Sequence, residues 1–345
     1  MVRVICIGSV SKDIFFPTDE GVIIETPEDL ASQTKVAFEL GGKFRAKDRF
    51  EAVGGVAANV SQGLSRLGVS AWCYSKVGRD EIGNWIEKEL VRNEVHLESF
   101  FIDPKVKSDL SAIIVITQTG DRLIFHNRDA NEKLEIIPEK LEGADWYFVS
   151  ALNGPWEKNL THILELRRSH GIHLAMNPGQ HNLKGNPKLI LEALREIDVL
   201  FLNKDEALEL LLKGGIEDDP KKLKSETFLI EKLHEQGVGV VALTDGKRGA
   251  WASFGDDIYH ADIYEPKGLV DTTGAGDAFA SGFFGAYLHK LPVEACLQYG
   301  IANAGSVVGS YGASSGLLNQ EEIHAYLKEI HPKETTEQVI SVRGE

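Results

Sequence analysis

The sequence predicts an α/β protein: a central, mostly parallel sheet flanked by helices, with a smaller β-sheet attached. Three observations carry this. From about residue 143 onward, short apolar runs alternate with helical patterns, which implies parallel strands joined by right-handed crossovers. The N-terminal half instead holds paired segments with only one apolar side, as in hairpins that have one face in water. Glycine-rich stretches stand where strands give way to helices, and there parallel sheets gather ligands.

Bulk properties narrow the function. With 345 residues, the chain allows one large α/β domain or two smaller ones, and a core of that size needs no disulfides or metal. A formal net charge of −15 argues against nucleic acid or an anionic membrane as partner. It also means that any phosphate site needs local compensation from amides, Lys, Arg or Mg²⁺. Cys6, Cys73 and Cys296 are far apart and each lies in an apolar run, so buried thiols in a reducing compartment are expected. The N-terminus reads as a strand and not as a signal peptide, and no apolar run approaches about 18 residues. A cytoplasmic protein is the expectation.

In chain order, 2–10 is a buried-strand pattern, with Asp13 just past its end. An isolated Asp there is usually a turn or cap residue. Segment 35–53 alternates on both sides of Gly41-Gly42 and reads as a hairpin. Its Lys43, Arg45 and Lys47 form a basic cluster, best read as a solvated face; contact with a substrate phosphate is the sharper alternative. Gly54 and Gly55 precede a helical segment, 56–67, and allow a ligand to approach bare backbone. Asn59 in the first turn faces the same space. Then come a strand (70–77), an amphipathic helix (80–93), a strand (95–101), and a hairpin of 109–117 with 121–128 around Thr119-Gly120.

The C-terminal half alternates: strand 146–150, helix 157–170, strand 172–176, helix 187–195, strand 199–202. Asn177-Pro178-Gly179 ends one of these strands at the ligand edge. Asn203 and Glu206 lie three apart where a strand becomes a helix, a spacing that fits a capping box. Segment 213–224 reads as a loop and 227–236 as a helix. After strand 239–243, Thr244 and the glycines of Thr-Asp-Gly-Lys-Arg-Gly can wrap a triphosphate with amides and a hydroxyl, or form a hairpin turn, or both. Residues 295–309 form a helix rich in Ala and Gly, against which something flat can pack, and 331–345 is a polar tail expected to fray.

The stretch 270–284, VDTTGAGDAFASGFF, concentrates the chemistry. Gly274, Ala275 and Gly276 put bare backbone at a helix N-terminus, where unpaired N–H groups and the helix dipole favour an anion. Asp277 stands beside this anion hole. A carboxylate there suits proton abstraction from a hydroxyl while amides stabilise a transferring phosphoryl group; an acidic cap on a buried helix is the plain alternative. Other machinery is missing. There is no G-x-x-x-x-G-K-[ST] loop. The glycines of GVGVVA at 237–242 lead into a strand, which excludes a dinucleotide fingerprint, and no H-E-x-x-H, paired C-x-x-C or G-x-S-x-G occurs.

DTTGAGDAF closely resembles the C-terminal signature of the ribokinase-like (PfkB) carbohydrate kinases, and GGVAANVSQGLSRLG resembles their N-terminal one. The likeness runs from Gly8 to about Gly316. It implies a ribokinase-like fold in a single domain, 1–345, with a β-sheet lid formed by about 12–53 and 106–131. It implies ATP-dependent phosphorylation of a hydroxymethyl group of a sugar or sugar-like substrate; nucleosides, phosphosugars and a non-catalytic sensor of the same fold stay open. Asp277 would be the base, and Gly274, Ala275 and Gly276 the anion hole. Asp13, Gly54, Gly55 and Asn59 would hold the acceptor. Arg128, at the end of the second hairpin, would contact a carboxylate, phosphate or hydroxyl, or make a structural ion pair. Asn203, Glu206, Thr244, Gly246 and Asn303 would serve the nucleotide, with Glu206 near Mg²⁺. Asp271 and Thr273 would lie by a monovalent-cation site for K⁺, although Gly316 stands where several members have Ser. A homodimer through lid strands is the expected assembly.

Overall fold

The computed structural model describes residues 2–26, 34–264, 272–330 and 339–341. The first half of the chain holds strands β1 (Arg3–Ile7), β2 (Ser11–Thr18), β3 (Val22–Glu25), β4 (Thr34–Ala37) and β5 (Phe50–Gly54), then helix α1 (Val56–Arg66). Strands β6 (Ser70–Tyr74) and β7 (Lys76–Gly78), helix α2 (Glu81–Arg92), and strands β8 (Phe101–Asp103), β9 (Leu110–Ile116) and β10 (Arg122–Asn127) follow. The second half alternates: β11 (Trp146–Val149), α3 (Trp156–His170), β12 (His173–Met176), α4 (Gln180–Gly185), α5 (Pro187–Ala193), β13 (Val199–Asn203), α6 (Lys204–Lys213), α7 (Glu226–Glu235) and β14 (Val240–Thr244). Strands β15 (Ala250–Phe254) and β16 (Asp257–Ala261), helices α8 (Ala275–Leu288), α9 (Val293–Val307) and α10 (Gln320–Ile330), and strand β17 (Val339–Ser341) complete it.

Nine strands form the main sheet in the order β17-β16-β15-β14-β13-β12-β11-β1-β6. The run from β6 to β14 is parallel and the three strands beyond β14 are antiparallel. Alternate side chains of each strand feed two cores. Val199 and Phe201 pack under α1, α2, α8, α9 and α10, while Leu200 and Leu202 pack against α3, α5, α6 and α7. This is the three-layer arrangement that a parallel sheet with apolar residues on both faces requires. Helix α8 is apolar nearly all round, since the sheet, α1 and α9 cover it.

The smaller sheet has the order β10-β9-β2-β5. Its register sets cross-strand rows on one face: Ala52–Asp13–Ser111–His126, then Phe50–Phe15–Ile113–Ile124. This face turns toward the body, where Tyr311 stacks on Phe50 with centroids 4.5 Å apart and leans on Phe15 at 6.2 Å. The opposite face carries Ile14, Phe16, Ile114, Leu123 and Phe125, all at least partly exposed. At the junction of the two sheets, buried Asn131 accepts from Val10 N (3.3 Å) and the Ser75 hydroxyl (3.2 Å) and donates to Val10 O (2.9 Å) and the Asp109 carboxylate (2.6 Å).

Several expectations need correction. Residues 35–53 do not form a hairpin around Gly41-Gly42: β4 pairs with β3 in a two-stranded ribbon, and β5 pairs with β2. An alternating pattern fits any strand partner, and β2 was hidden by Pro17. That proline lies past the last β5 pair, Phe15↔Phe50, where no backbone donor is needed on that side. Residues 95–101 make only one isolated bridge, Trp72↔His96, before the three-residue β8. The stretch 70–77 breaks at Ser75 into two strands that belong to different sheets. The 109–117/121–128 hairpin is present as β9 and β10, with Gly120 at φ 76° in the turn. Most of the polar tail lies outside the described residues, but 339–341 add an edge strand, β17, to the main sheet.

Candidate active site

Asp277 occupies the third position of α8, and Gly274 is the cap residue. Gly274 has φ 78°, and a Cβ there would meet the Ala313 Cβ at 2.1 Å, so both its backbone and its neighbour demand glycine. A Cβ on Gly276 would meet nothing within 4 Å, so the helix opens onto free space at that point. The N–H groups of the first turn have no partners within the helix and point the same way. The turn Tyr311-Gly312-Ala313 therefore braces the helix start from one side and the small sheet from the other.

Asn59, in the first turn of α1, lies 218 residues away in sequence, yet its amide donates to the Asp277 carboxylate at 2.8 Å. Burial pushes Asp277 up to about 6, against the lowering effect of that hydrogen bond. The other end of the same amide, Asn59 Oδ1, is buried and has no hydrogen-bond partner. Gly55, the cap of α1 with φ 91°, lies against Ser9 and Val10, and a Cβ on Gly54 would collide with the Asp13 carboxylate. Asp13 is itself buried and accepts from the Ser11 hydroxyl at 2.8 Å. Asp13, Gly54, Gly55, Asn59 and Asp277 thus form one continuous polar strip from β2 to α8.

A cavity of ≈ 230 Å³ joins this strip to the C-terminal half, with Gly276, Asp277, Asn177, Asn203, Glu206 and Thr244 in its wall. Asn203 and Glu206 do form a capping box, the side chain of each engaging the other's backbone at 2.9 Å. Burial first, and then the neighbouring Asp277 charge, push Glu206 up to about 7. Gly246 sits in the next turn with φ 50° and is exposed. Sequence reading missed what holds that turn: Lys204 pairs with Glu226 at 2.6 Å and with Asp245 at 3.4 Å, and Arg248 pairs with Glu226 at 2.9 Å. These partners belong to different segments, so no local signal marks them.

Not every expected residue reaches the site. Asn303 is fully buried; it donates to Ala278 O (3.0 Å) and Ser281 Oγ (3.3 Å) and accepts from Leu318 N (2.9 Å). It ties α8 and α9 to the chain beyond them and presents no surface to a nucleotide. Asp271 lies outside the described residues, and Thr273 is half-buried next to Gly274. Arg128 is exposed and donates to Asn153 Oδ1 at 3.3 Å. Lys43 and Arg45 are exposed, and Lys47 pairs with Asp19 at 2.6 Å, as a solvated face would. A second, wider hollow of ≈ 790 Å³ lies over the outer half of the small sheet, bounded by Val115, Arg122, Ile124, Thr272 and Tyr311. Among the described residues no group of three or more His, Cys, Asp or Glu could hold a metal, and no helix is long and apolar enough to cross a membrane.

A family model described as pfkB family carbohydrate kinase matches residues 2–320. An uncharacterised sugar kinase of Archaeoglobus fulgidus is 28% identical over 260 residues, covering 74% of this chain and 98% of its own. An ATP-dependent ribose-1-phosphate kinase of Halopiger xanaduensis is 27% identical over 334 residues, 95% of this chain and 99% of its own. In structure, the chain is similar to a nucleoside kinase of Methanocaldococcus jannaschii, an archaeal member of the ribokinase family. The TM-score is 0.75 at 20% identity, over 95% of this chain and 99% of that one.

Proposed function

The chain belongs to the pfkB family of carbohydrate kinases, phosphotransferases that act on an alcohol group of a sugar or nucleoside, and we propose that it transfers the γ-phosphoryl group of ATP to a hydroxymethyl group. One observation carries this reading: the Asn59 amide holds the Asp277 carboxylate at 2.8 Å, beside the open first turn of α8. In that reading Asp13, Gly54, Gly55 and the unpartnered Asn59 Oδ1 hold the acceptor's hydroxyls. Asp277 takes the proton of the reacting hydroxyl as the phosphorus–oxygen bond to the acceptor forms and the bond to the leaving diphosphate breaks. The amides of α8's first turn stabilise the charge on the moving phosphoryl oxygens. The Thr244 hydroxyl and the turn at Gly246 receive the nucleotide's phosphates.

Among the described residues the cavity wall offers two carboxylates, Glu206 and Asp277, and no cluster of three or more metal-ligating side chains. This fits Mg²⁺, which arrives on nucleotide phosphates and keeps much of its water. Glu206 is the side chain that would hold it or one of its waters, and the ion would neutralise phosphate charge in a chain of net charge −15. The small sheet serves as the lid, since its polar row faces the strip that ends at Asp277. Its apolar outer face, with Phe125 65% exposed, favours a second copy of this chain as its cover. Three buried free cysteines suit a reducing compartment such as the cytoplasm.

The test is ADP release from Mg-ATP, with and without K⁺, across ribose, fructose, 2-keto-3-deoxygluconate, adenosine, cytidine, ribose 1-phosphate and fructose 6-phosphate. Turnover on one acceptor that is lost in Asp277→Asn supports the reading. Nucleotide binding without turnover on any acceptor sinks it in favour of a sensor.

A further inference from the structure

The turn after β14 has little backbone structure of its own to hold it. It runs Asp245-Gly246-Lys247-Arg248-Gly249, and its two glycines sit at φ 50° and 87°. Glycine has more backbone freedom to lose than any other residue. The backbone bonds across the turn are Arg248 N to Asp245 O (2.9 Å), Gly249 N to Gly246 O (3.2 Å) and Asp245 N to Gly249 O (2.9 Å). Ion pairs supply the rest. Lys204 Nζ lies 2.6 Å from Glu226 and 3.4 Å from Asp245, and Arg248 pairs with the same two acids. The side chains of Lys204, Glu226 and Asp245 are only 12%, 14% and 22% exposed, so most of the solvent that weakens a surface pair is kept away.

The members of this cluster stand beside the cavity wall. Lys204 opens α6, directly after Asn203 and two residues before Glu206; Asp245 directly follows Thr244; Glu226 opens α7. Asn203 and Thr244 are themselves paired in register between β13 and β14. Three segments that are apart in sequence are therefore clamped where Asn203, Glu206 and Thr244 line the ≈ 230 Å³ cavity. Two cations and two anions make the cluster neutral. A group kept to attract phosphate would be a surplus cation, whereas a balanced cluster adds no net charge and fixes geometry.

We propose that Lys204, Glu226 and Asp245 are positioning residues for the phosphoryl donor: they hold Thr244 and the 245–249 turn in the shape that receives the nucleotide's outer phosphates. This rests on the kinase reading above and deepens its nucleotide side. The physical reason is preorganisation. A turn that must be ordered at each binding event gives up part of its interaction energy to that ordering, and a turn held beforehand does not. The three side chains act through Thr244 and the backbone of the turn.

The experiment measures binding of AMP, ADP and ATP by calorimetry, with Mg²⁺ and without acceptor, for wild type, Asp245→Asn, Glu226→Gln, Lys204→Met and the conservative variant Lys204→Arg. Asp245→Asn and Glu226→Gln keep the side chain's shape and each removes a negative charge near a site for anions. Charge alone would tighten ATP binding, and loss of position weakens it, so the two explanations predict opposite signs. The expected result is a loss of roughly five- to tenfold for ADP and ATP in both acid variants, with AMP changed by less than about twofold. Lys204→Met loses as much, and Lys204→Arg regains part. Tighter or unchanged ATP binding in Asp245→Asn and Glu226→Gln overturns the inference. So does an equal loss for AMP, ADP and ATP, which marks a general loosening of the C-terminal half. So does failure of both acid variants to fold in urea titration, which makes the cluster part of the folding core. Each of these outcomes leaves the kinase reading intact. A wild-type protein that binds neither ADP nor ATP removes the kinase reading and this inference with it.

Discussion

The two sheets of this molecule are held in opposite ways. The nine-stranded sheet is covered on both faces, and its central strands consist almost wholly of buried side chains. The four-stranded sheet rests one face on the loop around Tyr311; its other face is covered by α2 only around Lys12 and Val53 and is partly exposed beyond them, and its edge strand β10 is exposed along most of its length. In the proposed mechanism the groups that must keep their geometry, Asp277 and the first turn of α8, belong to a helix packed against the first sheet. Asp13 and Gly54, which the proposed mechanism places at the acceptor, belong to the second. A scaffold packed on all sides fixes position to a fraction of an ångström, whereas a sheet with few buried contacts can move and can change its side chains at little cost to stability.

The comparison can be broken most sharply at Asp277. Asp277→Asn should lower kcat by roughly 10²–10⁴-fold, with an unchanged circular-dichroism spectrum. Near-normal turnover would remove the carboxylate from the mechanism. Next in size is Gly274→Ala, which forces a side chain into a left-handed backbone and against Ala313. It should cost about 1–3 kcal/mol in urea unfolding and also depress turnover, because the first turn of α8 shifts with it. Gly120→Ala in the β9–β10 turn (φ 76°) carries the backbone term without the collision. It should cost no more than about 1–2 kcal/mol and leave kcat alone.

Smaller, and with a definite sign, is the pH dependence. Asp277 is raised to about 6 in the folded protein, so turnover should climb as pH rises through 6, where the base loses its proton. Asn59→Leu removes the hydrogen bond that lowers this value, so the limb should move to higher pH. A limb that stays in place would separate Asn59 from the base. Stability runs the other way. Asp277 and Asp109 near 6 and Glu206 near 7 all hold protons more tightly folded than unfolded, so their contribution to stability is lost as pH rises from about 4 to about 7. The thermal midpoint of Asp277→Asn should therefore exceed wild type at pH 7 and match it near pH 3. The smallest effect belongs to Lys43→Ala/Arg45→Ala, on exposed backbone away from both cavities, where affinity for every acceptor should change by less than about twofold. A larger loss would extend the acceptor site into that loop.

These regions also differed in how readable they were. The parallel half could be followed almost strand by strand, because a strand buried on both faces leaves a continuous apolar run whichever neighbour it pairs with. In the small sheet the strands were partly visible but their pairing was not. β5 was assigned to β4 across Gly41-Gly42, although its partner is β2, some forty residues earlier, with a proline inside it. The site followed the same division. Residues inside a local motif, Gly274 to Asp277 or Asn203 with Glu206, could be found from spacing. The Lys204–Glu226–Asp245 cluster could not. Asn303 fell in a recognisable helix but turned out to be committed to packing.

By itself, the sequence determined the fold class, the family signatures, the bare glycine backbone ahead of Asp277 and the Asn203–Glu206 capping box. All of these depend on interactions within a few residues or on burial averaged along a segment. The tertiary structure decided which groups face one another: Asn59 on Asp277 across 218 residues, Asp13 under Gly54, and His126 in a row with Asp13 through β9. Register between strands that are distant in sequence is set by turns, bulges and the shape of the common core, and none of these is encoded in the strand whose side chains it orients.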